Sequence, residues 1–281
     1  MELKWRDYRL DFASKTCIMG ILNVTPDSFS DGGIYFDKAR AVERAFRMAE
    51  EGADIIDIGG QSTRPGSEPV PVEEELKRTI PVIEALKGRL GIPVSIDTYR
   101  AEVAKRAVEA GADMINDISG LMFDPEMAHA VAKAGVPVVI MHIKGTPKDM
   151  QANPVYEALI PEVMDYLREG IRLAVSAGVK EDMIVVDPGI GFGKTFEHNL
   201  EILNRLGDFT LLGKPILVGV SRKAFIGKIL GDAPPSERLE GTLAAVSIAV
   251  LNGANIVRVH DVREVSKAVK VADAVINGGV S

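Results

Sequence analysis

The stretch CIMGILNVTPDSFSDGG, residues 17–33, joins a short apolar run to a long polar one. Cys17 to Leu22 is nearly uninterrupted in its apolar character and reads as a buried strand. NVTPDSFSDGG, from Asn23 to Gly33, is too long and too polar for a tight turn, and loops of that kind are disproportionately functional. Lys38 to Glu51 then places Ala41, Val42, Ala45, Met48 and Ala49 at helical spacing, with Gly52 as the stop. The unit is strand, loop, helix.

The unit recurs along the chain. Further apolar runs stand at 54–60 (DIIDIGG), 93–98 (PVSIDT), 114–119 (MINDIS), 137–142 (PVVIMH), 184–189 (IVVDPG), 215–221 (PILVGVS) and 255–260 (NIVRVH), which with the first makes eight strand candidates. Helical patterns lie between and after them at 72–87, 100–110, 125–134, 155–177, 197–206, 237–252 and 262–276. Gly52, Gly111 and Gly253 precede Ala, and Gly135 and Gly178 precede Val, as helix exits into strands do. Strands apolar on both faces need cover on both, which parallel strands with crossover helices supply. Eight such units in 281 residues, close to the roughly 250 typical of the fold, predict an α/β chain folded as a single (β/α)8 TIM barrel with its active site at the C-terminal ends of the strands. A doubly wound open sheet is the alternative, but no GxGxxG fingerprint follows the first strand and no linker divides the chain. The expected organisation is one domain over 1–281, with 1–16 as an N-terminal extension.

Bulk properties narrow the function. A net charge of −7 disfavours general affinity for nucleic acid or acidic membranes, while leaving local cations free to hold a small anion. The most apolar region, 242–250, is about half the length of a membrane span, and MELKWRDYRL lacks the uninterrupted core of a signal peptide. Cytoplasmic residence is therefore expected. The one cysteine, Cys17, lies in an apolar strand and reads as a small buried hydrophobe.

In a barrel the C-terminal strand ends converge, so polar residues finishing apolar strands become neighbours. They are Asn23, Asp57, Asp97 with Thr98, Asn116 with Asp117, His142, Asp187, Ser221 with Lys223, and Arg258 with His260. Asp97 precedes Thr98 and a helix, so a cap is open to it; Asp187 begins DPGIGFGK, whose three glycines free the backbone for close approach to a ligand. Two carboxylates with Asn116 and Lys223 suit the amide and amidine edge of a flat heterocycle. A second group is cationic: Arg64 in GGQSTRPGS, Arg222 and Lys223 in VGVSRK, and Arg258 with His260 in RVHD. The last four follow the seventh and eighth strands, where barrels often hold phosphate. No clustered His spacing supports a transition metal, and FGKT at 192–195 is too closely spaced after Gly189 for a P-loop.

Together these motifs resemble the dihydropteroate synthase family, the sulfonamide target of folate synthesis. NVTPDSFSDGG and GGQSTRPGS are similar to its two substrate loops, and IDT, NDISG, MHIKGTPKDMQANP, DPGIGFGK, SRK and RVHD follow in family order from about Ile18 to the last helix. The resemblance implies that 6-hydroxymethyl-7,8-dihydropterin diphosphate condenses with 4-aminobenzoate, by an SN1-like route, to 7,8-dihydropteroate and diphosphate. It implies that Asp97, Asn116, Asp187 and Lys223 hold the pterin. Asn23 with Mg2+, Thr63, Arg64, Arg258 and His260 hold the diphosphate end, and Phe29, Thr63 and Pro65 wall the aminobenzoate site.

The implied catalytic set is Asp97, Lys223, Arg258 and Asp31, with Asp97 foremost beside the pterin cation and Asp31 second. Residues 25–33 are expected to form a movable lid with Phe29 and Asp31 at its working tips, and pterin diphosphate to bind before 4-aminobenzoate. A homodimer through the small-residue helix 243–251 is a further expectation. Two departures stand out. Ala224 stands where members of the resembled family often carry a serine whose hydroxyl helps bind the aminobenzoate carboxylate, and Ile143 where they more commonly carry methionine. The nearest alternatives are a pterin-binding methyltransferase barrel, which needs no diphosphate cluster, and a noncatalytic pterin-binding relative.

Overall fold

The computed structural model describes residues 1–25 and 33–279, the side chains of 33–37 excepted. Phe29 and Asp31 lie outside the described residues. The chain opens with a hairpin, β1 (Glu2–Trp5) and β2 (Tyr8–Asp11), paired antiparallel. Then come β3 (Cys17–Asn23), α1 (Gly33–Glu50), β4 (Ile55–Gly59), α2 (Val72–Leu86), β5 (Val94–Asp97), α3 (Ala101–Ala110), β6 (Met114–Asp117) and α4 (Met127–Ala134). The second half adds β7 (Val138–Met141), α5 (Leu159–Ser176), β8 (Ile184–Asp187), α6 (Phe196–Asn204), β9 (Leu217–Val218), α7 (Ala224–Ile229), α8 (Leu239–Leu251), β10 (Ile256–Val259) and α9 (Val262–Asn277).

All eight strands from β3 to β10 run parallel, in the order β8-β7-β6-β5-β4-β3-β10-β9. A bridge between Val186 and Ile216 joins the two ends and closes the barrel. The predicted eight-unit barrel is what forms. Its seventh strand is only two residues long, because Pro215 has no N–H to give and the Ile216 N–H donates to Asn255 Oδ1 at 2.8 Å instead of to a strand. The five glycines read as helix exits all take positive φ.

Alternation sorts each strand into two sets. Ile18, Ile56, Ile96, Ile115, Ile140, Val186 and Val257 belong to the large core between barrel and helices. Met19, Ile55, Met114, Val139, Val185, Leu217 and Ile256 belong to a separate cluster inside the barrel, together with Cys17. That inner cluster is completed by Leu3, Trp5 and Leu10, so the hairpin plugs the N-terminal end of the barrel. Trp5 is buried, and its indole N–H donates to the Asp113 carbonyl at 2.8 Å. Burial drives the Cys17 thiol up to about 12, in keeping with its role as a small hydrophobe. With one end plugged by apolar side chains, the polar inward residues collect at the other.

Candidate active site

Strand register builds the polar end. Asn23 pairs with Gly59, Gly59 with Asp97, and Asp97 with Asn116, so these four form one row across β3, β4, β5 and β6. Gly59 leaves a gap in that row. A Cβ there would lie 3.5 Å from Asn23 Oδ1 and 3.6 Å from Asp97 Oδ2, so the two oxygens face the same space.

Arg258 reaches into the row from β10. Its Nη2 donates to Asp97 Oδ2 and its Nε to Asp57 Oδ2, both at 2.6 Å. The same Asp57 oxygen accepts from Asn116 Nδ2 at 2.9 Å. Burial pushes the Asp97 carboxyl up to about 7, against the pull of Arg258 and with the help of the neighbouring Asp57 charge. Burial works against the charge of Arg258, yet Asp57 and Asp97 hold its pKa above the ordinary value.

On the opposite wall Asp187 accepts from the Gly189 N–H at 2.7 Å, and burial raises its carboxyl to about 6. The Lys223 ammonium stands 4.2 Å from the centroid of the Phe192 ring. Burial first, and then Arg258, lower that lysine to about 8, while Asp187 and Asp97 oppose them. The glycines after Asp187 serve a different purpose from the one expected. A Cβ on Gly189 would meet the His142 carbonyl at 1.9 Å, and one on Gly193 the Lys144 carbonyl at 2.3 Å. At both positions φ is also positive, so the loop needs glycine to lie against its own neighbouring loop. Only Gly191, whose Cβ would stand 3.1 Å from Lys223 Cδ, faces the site.

His260 is held by Ser221: its backbone N–H donates to Ser221 Oγ at 3.2 Å, and its Nδ1 lies 3.0 Å from the same oxygen. Burial and the nearby Arg258 lower its pKa to about 3, which keeps the ring neutral. Arg222 does not join the cluster. Its guanidinium pairs with Asp261 at 2.9 and 2.5 Å on the rim.

Thr63, Arg64 and Pro65 sit in the loop between β4 and α2. Thr63 is half-buried, and Arg64 and Pro65 are exposed. The buried cluster therefore does not include them. Both ends of the loop are fastened: Gln61 donates to the Tyr99 hydroxyl at 2.8 Å, Arg78 Nη1 to the Gly60 carbonyl at 2.9 Å, and Arg100 Nη2 to the Val70 carbonyl at 2.6 Å. Its middle touches the loop after β7, where the Gly66 N–H donates to the Pro147 carbonyl at 2.9 Å. Ala224 is the exposed first residue of α7, and Ile143 is buried beside Met141, Met150 and Phe192, as an apolar exchange requires.

Two buried groups had no role in the sequence reading. Asp57, with no exposed surface, was visible only as one polar strand residue among many; its signal is a carboxylate inside the run IIDIG. Lys194, rejected as part of a P-loop, is 2 % exposed; its Nζ lies 2.8 Å from His142 Nδ1 and donates to the Phe192 carbonyl at 3.0 Å. Burial drives Lys194 well down and His142 to about 2, so the imidazole is neutral and His142 is occupied as a structural partner. Among the described residues no group of three His, Cys, Asp or Glu is placed to hold a metal.

A site of this kind can grip a flat polar edge with buried carboxylates, an amide and a lysine, and an anion with Arg258 and the neutral imidazole. Comparison with known proteins gives the same picture. The family described as "Pterin binding enzyme" matches residues 19–260. A dihydropteroate synthase of Synechocystis sp. is 52% identical over 264 residues, covering 94% of this chain and 91% of that protein. Among solved structures, dihydropteroate synthase of Clostridium difficile in the presence of pteroic acid has a TM-score of 0.90 at 48% identity, covering 95% of this chain and 98% of that one. That of Xanthomonas albilineans with 4-aminobenzoic acid has a TM-score of 0.91 at 45% identity, covering 98% of both.

Proposed function

The chain belongs to the dihydropteroate synthase family of pterin-binding enzymes, and from that premise we propose how its own residues divide the work. The reaction joins the pterin-methyl carbon of 6-hydroxymethyl-7,8-dihydropterin diphosphate to the amine of 4-aminobenzoate, giving 7,8-dihydropteroate and diphosphate.

Asp187, Asn116, Asp97 and Lys223 bind the pterin. Their buried donors and acceptors match a heterocycle edge, and the row from Asp97 to Asn116 is flat because it follows a strand register. Arg258 and His260 receive the diphosphate, joined by Thr63 and Arg64 from the loop after β4. As the carbon–oxygen bond breaks, its electron pair leaves with the diphosphate. Arg258 and the neutral His260 N–H meet that growing charge. The cation left on the pterin side, in an SN1-like course, lies beside the Asp97 carboxylate. The lone pair of the aminobenzoate nitrogen then forms the carbon–nitrogen bond, and the resulting ammonium releases its proton to water. An aromatic amine is neutral at pH 7, so no strong base is required.

Mg2+ fits at Asn23. Its Oδ1 is a hard oxygen donor facing the gap over Gly59, and Mg2+ ordinarily takes one or two protein oxygens with the rest from water and substrate phosphate. When bound, the ion neutralises diphosphate charge. Phe29, Pro65 and Thr63 line the aminobenzoate side, with Asp31 as a second carboxylate. Pterin diphosphate binds first, since two loops complete the second site.

A homodimer through α8 and α9 is supported by their outer faces. These helices pack together and expose Ile248, Leu251, Val271, Val275 and Ile276. No described helix is long and apolar enough to cross a membrane, and residence in the cytoplasm accords with that.

The observation carrying the assignment is Arg258 held between buried Asp57 and Asp97 toward the end of the barrel opposite the apolar plug. The test is diphosphate release on mixing purified protein with both substrates, with Asp97→Asn as the control. Release that needs both substrates and drops at least about a hundredfold in the control is expected. No release would favour a methyltransferase or a noncatalytic binder.

A further inference from the structure

We propose that Asp57 is a positioning residue for the transfer, fixing the Arg258 guanidinium and the Asn116 amide in their working orientations without touching substrate. The proposal rests on the assignment of Arg258 to diphosphate and Asn116 to pterin.

Asp57 lies on β4 in the inward series Ile55, Asp57, Gly59. Ile55 belongs to the apolar plug, and Gly59 to the row of Asn23, Asp97 and Asn116. Asp57 is therefore one layer below the substrate-facing row. It has no exposed surface at all.

One oxygen of this carboxylate does two jobs. Oδ2 accepts from Arg258 Nε at 2.6 Å and from Asn116 Nδ2 at 2.9 Å. Taking Nδ2 of Asn116 decides the flip of that amide, so Oδ1 is turned away from Asp57 as an acceptor for ligand. Taking Nε of Arg258 decides the plane of the guanidinium, because Nη2 is already committed to Asp97. With Nε and Nη2 both taken along one edge, Nη1 is the guanidinium nitrogen left for a ligand. Neither orientation follows from strand geometry alone, since both side chains are long enough to turn.

The remaining oxygen adds an independent observation. Among the described residues, Asp57 Oδ1, Ser95 Oγ and Asp97 Oδ1 are the buried side-chain atoms without a hydrogen-bond partner. Asp57 and Ser95 are register partners on β4 and β5. A carboxylate whose sole task was to neutralise Arg258 would have no reason to leave one oxygen unpaired and load the other twice. The double load is what links diphosphate and pterin contacts through one atom.

The test uses Asp57→Asn, which keeps the shape and one acceptor oxygen but removes the charge. Thermal melting first establishes that the variant is folded; Asp57→Ser serves if it is not. Steady-state kinetics are then measured for both substrates. The expected result is a fall of about 30- to 100-fold in kcat/KM for pterin diphosphate, with KM for 4-aminobenzoate within about threefold of wild type. In an Arg258→Gln background the same change should cost much less, because its effect runs through Arg258. Equal losses against both substrates, unchanged kinetics, or full additivity with Arg258→Gln would overturn the proposal. Absence of diphosphate release by the wild type overturns the functional assignment and this proposal together, whereas release with an unaffected variant overturns this proposal alone.

Discussion

Arg258 Nη2 stands 2.6 Å from Asp97 Oδ2, although the two residues are 161 apart in sequence and the carboxylate is buried. Burial has raised Asp97 to about 7 from its ordinary 3.8, so between about pH 4 and 7 the folded state binds the proton that the unfolded state has lost. Stability contributed this way is present at low pH and is lost as pH rises through that window. Arg258→Met removes the cation that makes ionised Asp97 tolerable. Urea unfolding should therefore show a loss of about 3–5 kcal/mol at pH 7.5 and a clearly smaller one at pH 5, where protonation relieves Asp97. An equal loss at both pH values would mean that Arg258 is held by packing alone.

Lys223 gives a second pH-dependent expectation. Its pKa is lowered to about 8, chiefly by burial and next by Arg258, so above pH 8 the free enzyme loses the ammonium proposed to hold the pterin. The profile of kcat/KM for pterin diphosphate should fall on its basic side near that value, since this quantity reports free-enzyme ionisations. Lys223→Arg keeps a permanent charge. It should lower kcat/KM about tenfold or more through misplacement, yet abolish the basic limb below pH 10. Persistence of the limb in the variant would assign it to another group.

Ser221 and His260 lead to a prediction about a tautomer. Ser221 Oγ already accepts the His260 backbone N–H at 3.2 Å, so its own proton is directed to Nδ1 at 3.0 Å, leaving Nε2 as the N–H donor. The imidazole pKa is lowered to about 3 by burial and by Arg258, and the ring is neutral at pH 6 to 9. His260→Gln, which also offers an N–H, should keep the same pH profile as wild type over that range. Ser221→Ala should cost about tenfold in kcat/KM for pterin diphosphate while KM for 4-aminobenzoate stays put. A profile break near pH 6.5 that vanishes in His260→Gln would show that the cation is the working form.

Much of this is legible in the amino-acid sequence. Apolar runs ended by Asn, Asp, His or Arg gave the eight strands and most of the row at their ends, because period-two burial and convergence at one barrel face are properties of pattern. Pairings were not readable: nothing in IIDIG says that its Asp meets an Arg 201 residues later. Boundaries shifted where side chains intervened. The helix read at 155–177 begins at Leu159, since Glu162 accepts the N–H groups of Glu157 and Ala158 at 2.7 and 2.9 Å and so fastens its entry. The hairpin at 2–11 escaped notice because two four-residue strands are too short to establish a period, and their partners lie on the barrel floor.

That hairpin carries the last expectation. Trp5 is 3 % exposed, packs in the cluster of Met19, Ile55, Met114 and Val185, and gives its indole proton to the Asp113 carbonyl. The row of Asn23, Gly59, Asp97 and Asn116 is at the opposite end of the same strands, with Asp57 between. Trp5→Ala should cost about 3–5 kcal/mol in urea unfolding, from lost burial and the cavity left behind. Trp5→Phe fills most of that volume but leaves the Asp113 carbonyl without its donor, and should cost about 1–2 kcal/mol. In both variants kcat and both KM values, per folded molecule at 20 °C, should stay within about twofold of wild type, because the apolar floor positions strands and not site side chains. A change in KM for pterin diphosphate in Trp5→Phe, whose shape is nearly kept, would mean that the floor and the Asp57 layer are coupled and that the plug helps to set the site.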